Sequence, residues 1–440
     1  MRKTTFGLAG IFVLLWSLFG VPAMLHAAEP AQYAPGEALV VLKNRIGQVS
    51  AAALSSASGG NYVKSVAESA GAKVATTYAA LSEARNEIFV LIKSETKSTE
   101  ELLAELAKNP DVECASPNYR VQAFTTTPND PDYGSLWGLE KIRVSEVWDT
   151  TTGSENVHVA VIDTGLYAGH PDLAANVETS LSRSFVNPDN SVTPVVSSNF
   201  SDRDGHGTHV AGTIAAVGNN EIGVVGVNWR AKIIALKALR DNGSGWDSWT
   251  IAALDYLVDL LRANPDMRIP AVNLSLGGWI PETPAVRQNS ATWRAYKALD
   301  DTNRTVIVVA AGNEGHEVGA PAPADYYNQR GERIVTKGAY CYPASFTGLK
   351  NLLVVGSVNV SDTAPAFTNW SSGSVHLAAP GVNIRSTYSA EALTGASLYA
   401  NLQGTSMSAP HVAGAVALLA SAHADRTANQ LKELLCNSAN

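Results

Sequence analysis

Four polar residues stand in short glycine-rich stretches of the sequence, where a side chain could meet a substrate. They are Asp163 in VIDTG, His206 in DGHGTHVAG, Asn313 in AAGNEG and Ser406 in GTSMSAPHVAG. Together they supply an acid, a base, an amide donor and a hydroxyl nucleophile. Acyl transfer needs this set, because the hydroxyl attacks a carbonyl, imidazole moves the proton, the carboxylate orients the imidazole, and the amide stabilises the oxyanion.

Each of the four residues also has an ordinary structural interpretation. Asp163 before Thr-Gly and Asn313 beside glycines are typical of turns, and Ser406 is a preferred helix N-cap residue. A metal site at His206 and His209 is disfavoured, since the pair lacks a third ligand nearby and the sequence contains no H-E-x-x-H. Only the combination of the four residues favours catalysis.

The segments around these residues predict a parallel sheet with helices on both faces. Nearly continuous, β-branched apolar runs predict buried strands at residues 157–162, 232–239, 269–276, 305–311 and 352–358. Helix-length segments separate several of these runs, which is typical of a sheet buried on both sides. Sites in such sheets form at the carboxyl ends of strands, where Asp163 and Asn313 stand. The predicted fold class is therefore α/β, with a doubly wound, mostly parallel sheet.

A separate small α+β unit is predicted for residues 32 to about 124. Strand patterns at 37–43 and 86–93 alternate there with helix-length segments. The stretch 125–134 is rich in Pro, Asp and Thr, which indicates an exposed linker open to proteolysis.

The N-terminus has the layout of a secretory signal peptide. Arg2 and Lys3 precede an apolar run from Phe6 to Phe19, and Pro22 and small residues follow it. An uncleaved membrane anchor is the alternative, because the run is nearly long enough to span a bilayer. We expect a signal peptide over residues 1–27, secretion, and no stable membrane association after its removal.

The composition limits the classes of function. The chain has 440 residues, of which 45% are hydrophobic and 16% charged, as is typical of a soluble globular protein. Its net charge of -8 and the absence of a Lys/Arg-dense block argue against nucleic-acid binding. The three cysteines, Cys114, Cys341 and Cys436, are too few for a disulfide-stapled scaffold.

Six ordered motifs over roughly residues 129–440 resemble those of the subtilisin-like serine proteases. They are VIDTG, DGHGTHVAGTIAA, NLSLGG, AAGNEG, APGVNIRST and GTSMSAPHVAG. The resemblance implies that Asp163, His206 and Ser406 form a catalytic triad and that Asn313 is the oxyanion donor. It implies a secreted serine endopeptidase that acts on proteins and peptides without a catalytic cofactor, and a monomer is expected.

The resemblance also implies where a substrate binds. The stretch SLGG, Ser275 to Gly278, is similar to an edge strand that pairs with an extended substrate backbone. The implied substrate-binding residues are Ser275, Leu276, Gly277, Ala311 and Gly312. Cys341 precedes YPASF, which in relatives lines the primary specificity pocket. Cys341 could narrow that pocket or pair with Cys436, a choice that spacing leaves open.

The unit before the linker resembles the family's inhibitory propeptide, a small ferredoxin-like domain that assists folding and is cut away by the enzyme. The expected propeptide is residues 28–127, and the expected catalytic domain is residues 128–440. We expect cleavage between Gln122 and Asn129, and until then the propeptide acts as an intramolecular inhibitor.

A structural calcium ion is the cofactor that the resemblance implies. Asp172 in GHPDL and the loop VGNNEIGVVGV resemble a tight calcium site, whose oxygen ligands suit a hard cation. The implied ligands are Asp172, Val217, Asn220, Ile222 and Val224, of which the three apolar residues would use backbone carbonyls. Either Asp130 or Asp132 could add an N-terminal ligand, and an ordinary Asn-rich turn is the alternative.

Other interpretations stay open at this point. A catalytically silent relative could bind peptides or inhibitors through the same edge strand, although the presence of all four catalytic residue types disfavours it. A nucleotide-binding domain is disfavoured because VIDTGLYAGH is not G-x-G-x-x-G, and Ser406 does not stand in the G-x-S-x-G of other serine hydrolases. The family usually continues through a further strand pair and helix, so the sequence leaves open whether it is an incomplete record at its C-terminus.

Overall fold

The structure is a computed structural model that describes residues 33–121, 126–189, 191–327, 333–389 and 397–439. It divides into two compact units between residues 124 and 125. The predicted signal peptide, residues 1–27, lies outside the described residues, as does the first part of the expected cleavage range. No helix in the described ranges is long and apolar enough to cross a membrane.

The first unit is a four-stranded sheet with helices. Its strands are β1 (Tyr33–Leu42), β2 (Lys73–Thr77), β3 (Ile88–Lys93) and β4 (Val112–Tyr119). Its helices are α1 (Ala51–Ser55), α2 (Ala57–Ser69), α3 (Ala79–Arg85) and α4 (Thr99–Leu106). The antiparallel order β2-β3-β1-β4 is ferredoxin-like, as predicted. Alternate residues of β3 are buried, since one face of the sheet packs on the helices.

The second unit is built on a seven-stranded sheet in which all paired strands are parallel, as predicted. Its strands are β5 (Val157–Asp163), β6 (Arg183–Ser184), β7 (Lys232–Lys237), β8 (Arg268–Leu274), β10 (Val306–Ala310), β14 (Leu352–Val358) and β15 (Leu377–Pro380). The order is β15-β14-β10-β8-β5-β7-β6. Chain order therefore reverses beside β5, and ligand sites form at such a reversal.

Helices and short strands complete this unit. The helices are α5 (Trp137–Lys141), α6 (Val144–Trp148), α7 (His206–Ala215), α8 (Asp247–Ala263), α9 (Pro284–Arg287), α10 (Ala291–Asp300), α11 (Thr405–Ala422) and α12 (Ala428–Ser438). The short pairs are β9 (Gly278–Ile280) with β13 (Tyr340–Tyr342), β11 (Tyr326–Tyr327) with β12 (Arg333–Val335), and β16 (Ile384–Thr387) with β17 (Tyr399–Leu402).

Strand β5 shows why the sheet is apolar on both faces. Val159 and Val161 pack in the core that holds α7 and α11, whereas Ala160 and Ile162 pack in the core that holds α8 and α10. Successive side chains of a strand point to opposite faces, so a strand between two helical layers has no polar face.

The predicted strand 269–276 ends earlier than expected. Strand β8 stops at Leu274, and β9 begins only at Gly278. Residues 275–277 belong to no strand of the described chain, because no neighbouring segment pairs with them there. Their backbone therefore forms an edge rather than an internal strand.

Small residues allow α11 to lie close to its neighbours. Gly414 is buried, and a Cβ at this position would lie 2.7 Å from the Cβ of Val227. That distance is shorter than a van der Waals contact, so the helix approaches the 224–227 segment only because position 414 has no side chain.

We expect Gly414→Val to lower the free energy of unfolding by about 1–3 kcal/mol, the usual cost of overpacking a core. Denaturant unfolding would measure this in a Ser406→Ala background, which removes the nucleophile that the sequence predicts. The control is Ala415→Val, because Ala415 is only partly buried. Equal stability of the two variants would contradict the close-packing interpretation.

Candidate active site

Asp163 and His206 form the centre of the candidate site. Asp163 ends β5, and its side chain is completely buried. Its Oδ1 accepts a hydrogen bond from Nδ1 of His206 at 2.7 Å and another from the Thr164 N–H at 2.7 Å. Oδ2 has no hydrogen-bond partner within the described part of the chain. The structure thus brings together the predicted acid and base.

Opposing effects act on the pKa of His206. Burial lowers it, because the imidazolium loses water, whereas the Asp163 carboxylate raises it by charge and by its hydrogen bond. The nearby carboxylates of Asp204 and Asp202 also raise it. The carboxylates outweigh burial, so the pKa of His206 lies above its ordinary value of 6.5.

A second buried carboxylate, that of Asp202, fixes the start of α7. Its Oδ1 accepts from the Gly205 N–H at 2.9 Å and the Thr164 hydroxyl at 2.9 Å. Its Oδ2 accepts from the N–H and the hydroxyl of Thr208. The Thr208 N–H lies in the first helical turn and has no partner within the helix. The sequence analysis did not predict this role of Asp202. The only sign of it in the sequence was the position of a carboxylate shortly before His206.

Glycine is needed on both sides of His206. Gly205 has a φ of +99°, which an L side chain rarely adopts. A Cβ on Gly207 would lie 2.2 Å from the carbonyl oxygen of Gly165. Helix α7 can therefore start directly against the turn that follows β5, and this close approach brings the imidazole to Asp163.

Ser406 is the second residue of α11, and Gly404 is the N-cap. The alternative that Ser406 caps the helix is therefore wrong. Its hydroxyl donates to the carbonyl oxygen of Ser275 at 3.2 Å, and the Ser275 hydroxyl donates to the Ser406 carbonyl at 2.9 Å. No hydrogen bond among the described residues joins Ser406 to His206. The helix start nevertheless favours negative charge near Ser406.

Asn313 is tied to the helix that carries Ser406. Its Oδ1 accepts from the Thr405 N–H at 2.8 Å and from the Thr405 hydroxyl at 3.0 Å. The same hydroxyl accepts from the Gly312 N–H at 3.1 Å. Both bonds of the Asn313 amide use Oδ1, which leaves Nδ2 as its donor for a ligand. The sequence analysis did not predict that Thr405 holds Asn313, although the position of Thr405 beside Ser406 could have indicated a role in the site.

Two cavities share residues 275–277 as a wall. The smaller, of about 140 Å³, is lined by Gly312, Asn313 and Ser406 as well. The larger, of about 710 Å³, is also lined by His206. The predicted substrate-binding residues Ser275, Leu276, Gly277 and Gly312 therefore line a cleft with the candidate catalytic residues. Ala311, in contrast, is completely buried, and Ala310 lines the smaller cavity instead.

Cys341 lies in the wall of the smaller cavity. It belongs to β13, where it pairs with Trp279 of β9. Burial raises the pKa of its thiol, which is therefore neutral near pH 7. Cys114, Cys341 and Cys436 are all free, so the structure contains no bond between Cys341 and Cys436.

Asp172 is the buried centre of the predicted calcium site. Its Oδ1 accepts from Nδ2 of Asn220 at 2.9 Å, and its Oδ2 accepts from the Val224 N–H at 2.9 Å. Burial raises the pKa of Asp172 to about 6, and the charge of Asp130 acts in the same direction. The Val217 N–H donates to the Asp172 carbonyl oxygen, so the loop also packs on its backbone.

The carboxylate of Asp130, rather than that of Asp132, bonds to this loop. Asp130 is buried, its Oδ2 accepts from the Asn219 N–H at 2.7 Å, and its Oδ1 has no described partner. Asp132 instead forms an ion pair with Arg385 at 2.8 Å. The described residues contain no group of three or more His, Cys, Asp or Glu that could hold a metal. Two neighbouring buried carboxylates with an unpartnered oxygen nevertheless fit a hard cation that also uses amide and carbonyl oxygens.

Comparison with known proteins gives the family. Residues 154–440 match the Subtilase family, and residues 20–118 match the Fervidolysin N-terminal prodomain. A Thermophilic serine proteinase from Bacillus sp. (strain AK1) is 35% identical over 325 residues, which cover 74% of this chain and 67% of that protein. Thermitase from Thermoactinomyces vulgaris is 34% identical over 314 residues, covering 71% of this chain and 91% of that protein.

A solved structure agrees with this relationship. A protease structure from Pseudoalteromonas arctica is 29% identical and superimposes with a TM-score of 0.56, covering 72% of this chain and 93% of that one. Residues 154–440, which match the Subtilase family, include the sheet, both cavities and all four predicted catalytic positions. The chain therefore belongs to the subtilase family and is a subtilisin-like serine protease with an N-terminal prodomain region.

Proposed function

We propose that the chain is the precursor of a secreted endopeptidase that hydrolyses peptide bonds with Asp163, His206 and Ser406. One observation carries this proposal, the 2.7 Å hydrogen bond between His206 and the buried Asp163 at one end of the sheet. Ser406 and Asn313 line the adjoining cavity, which supplies the two remaining groups that acyl transfer needs.

In the proposed mechanism, His206 is the general base. Its Nδ1 is held by Asp163, so Nε2 is the nitrogen that accepts the proton of the Ser406 hydroxyl. A rotation about the Cα–Cβ bond of Ser406 turns this hydroxyl away from the Ser275 carbonyl. The oxygen then bonds to the substrate carbonyl carbon, and Nε2 returns the proton to the departing amine. His206 then removes a proton from a water molecule, which attacks the acyl-enzyme and releases the second product.

The oxyanion formed in this step is stabilised by two donors. Nδ2 of Asn313 is one, because its Oδ1 is already held by Thr405. The Ser406 N–H at the start of α11 is the other. One such donor is worth about 10²–10³-fold in kcat, the range known for subtilisin itself.

The substrate backbone lies along residues 275–277. This segment pairs with no strand of the described chain, so its backbone groups can pair with an extended peptide. The side chain next to the cleaved bond enters the smaller cavity, where Cys341 forms part of the wall.

A catalytically silent peptide-binding protein is the second candidate function. It is favoured by one observation, the hydrogen bond of Ser406 to Ser275 rather than to His206. An inactive relative would bind peptides along residues 275–277 without cleaving them.

We propose that residues 1–27 direct export and that residues 28–127 form an inhibitory propeptide, cut by the enzyme between Gln122 and Asn129. The prodomain match over residues 20–118 supports the second part. We further propose a monomer that binds no nucleic acid, in line with its net charge of -8.

We also propose one structural calcium ion, held by Asp172, Asn220 and the carbonyl oxygens of Val217, Ile222 and Val224. Asp130 contributes its carboxylate from the preceding segment. The ion would offset the charge of two buried carboxylates and tie the 217–224 loop to Asp130.

Ser406→Ala is expected to abolish peptide hydrolysis and to leave the precursor with its propeptide attached. Labelling by an organophosphonate, read by mass spectrometry, should modify Ser406 in the native enzyme and nothing in the variant. Ser408→Ala is the matched control, because Ser408 lies in the same helix. This variant should leave the labelling of Ser406 intact. A native protein that binds peptides but resists the label would favour the silent relative. A variant that processes itself in pure form would contradict autoprocessing.

The pH profile tests the coupling of His206 to Asp163. The neutral imidazole is the base, so kcat/KM should rise with pH through the His206 pKa, which lies above 6.5. Asp163→Asn removes the anion that raises this pKa, so the midpoint should fall and kcat should drop about 10⁴-fold. Asp204→Asn, whose effect on His206 is weaker, should shift the midpoint less. An unchanged midpoint in Asp163→Asn would contradict the assignment.

A chelator is expected to lower the Tm of the Ser406→Ala protein, because removing calcium leaves Asp130 and Asp172 buried and uncompensated. Calcium at 100 times its Kd would add about 2.7 kcal/mol of stability. Asp172→Asn should remove the response to the chelator, and Asp132→Asn should keep it, since Asp132 pairs with Arg385. The site is rejected if the chelator leaves the Tm of the parent protein unchanged.

A further inference from the structure

We propose that Asn369 is a positioning residue that holds the oxyanion donor Asn313 in place. Asn369 lies in the connection between β14 and β15, and only 1% of its surface is exposed. It does not line either cavity beside the candidate triad. The inference rests on the proposed function, because it assumes that Asn313 donates to the oxyanion.

The Asn369 side chain uses its full hydrogen-bonding capacity on the turn that contains Asn313. Its Oδ1 accepts from the N–H groups of Glu314 at 3.1 Å and His316 at 2.8 Å. Its Nδ2 donates to the Ala311 carbonyl at 3.0 Å and to the Glu314 carboxylate at 3.0 Å. An Asn side chain has two donor hydrogens and two acceptor lone pairs, and all four are engaged here.

The backbone of Asn369 adds to this contact. Its N–H donates to the Gly312 carbonyl at 3.0 Å. The Glu314 carboxylate that binds Asn369 Nδ2 also accepts the N–H of Asn313 at 2.9 Å. Asn369 therefore contacts the turn before and after Asn313 and is linked to Asn313 itself through one carboxylate.

The turn needs such a support because its glycines have wide conformational freedom. Gly312 and Gly315 have φ values of +106° and +69°. A Cβ on Gly312 would lie 2.2 Å from Nδ2 of Asn369, so the turn closes directly on this amide. A glycine-flanked turn without these bonds has many alternative conformations, and Asn369 selects the one that is observed.

Asn313 is thus held at two points. Thr405 fixes its side chain from α11, and Asn369 fixes the backbone on both sides of it in the sequence. Loss of Asn369 would let the backbone at 312–314 relax and would displace Nδ2. The oxyanion exists only in the transition state, so the loss should appear in kcat rather than in KM.

A double-mutant cycle tests the inference. Asn369→Ala is expected to lower kcat about 10- to 100-fold, with KM changed less than about twofold, because a small displacement of a catalytic donor has this effect. In an Asn313→Ala background, adding Asn369→Ala should change kcat less than about twofold, since the donor is already absent. Asn369→Ser, which is also small, provides the same cycle if the alanine variant does not fold.

Asn351→Ala is the matched control. Asn351 is equally buried at 1% exposure, and its Nδ2 donates to the Asp300 carbonyl, away from the turn. This variant should lower the Tm but keep kcat in both backgrounds. The active fraction of each variant is counted by organophosphonate titration, so that kcat refers only to folded enzyme.

Three outcomes would overturn the inference. If the Asn369 and Asn313 effects on kcat multiply, Asn369 does not act through Asn313. If Asn369→Ala lowers only the Tm, as Asn351→Ala should, its role is purely structural. If Asn313→Ala itself leaves kcat unchanged while Ser406 still reacts with the phosphonate, the oxyanion role of Asn313 fails, and the role of Asn369 fails with it.

Discussion

The site depends on one hydrogen bond between a completely buried carboxylate and a partly exposed imidazole. Burial of Asp163 alone is costly, because a charge without water needs a compensating partner. His206 provides that partner, and the same bond fixes which ring nitrogen faces the cleft. The interaction therefore stabilises the ion and orients the base, and much of the surrounding structure serves to bring these two side chains together.

The close approach of two backbone segments, the end of β5 and the start of α7, supports this hydrogen bond. Asp163 emerges at the carboxyl end of β5, beside the reversal of chain order in the sheet. Helix α7 begins against the next turn only because Gly205 and Gly207 lack side chains. Asp202 then accepts from the N–H of the cap residue Gly205 and from the N–H of Thr208 in the first turn. The proposed base, His206, therefore stands at a helix start that a second, buried carboxylate holds in place.

The proposed nucleophile and the proposed oxyanion donor share a different support. The first turn of α11 carries Ser406, and its neighbour Thr405 holds the amide of Asn313. Ser275 hydrogen-bonds to Ser406 and also begins the open edge at which a peptide can pair. The start of α11 therefore sets the positions of Ser406, Asn313 and the edge at residues 275–277 relative to one another.

The sequence alone determined the fold class, the parallel sheet and the four candidate residues. Strand-length apolar runs predict a parallel sheet between helical layers, because both faces of such strands must be buried. The strands that end in Asp163 or near Asn313 also predict a shared site, because the carboxyl ends of parallel strands meet at one edge of the sheet. Six ordered motifs determined the family for the same region. Local patterns also predicted the small α+β unit, whose alternation reflects a sheet with one buried face.

Only the tertiary structure decided the contacts between segments that are distant in the sequence. It placed Gly404 rather than Ser406 at the helix cap, left Cys341 unpaired, and put the carboxylate of Asp130, rather than that of Asp132, near Asp172. It also ended β8 at Leu274, so that residues 275–277 form an open edge. Sequence patterns report the burial and local geometry of a segment, whereas these contacts depend on which segments the folded chain brings within hydrogen-bonding distance.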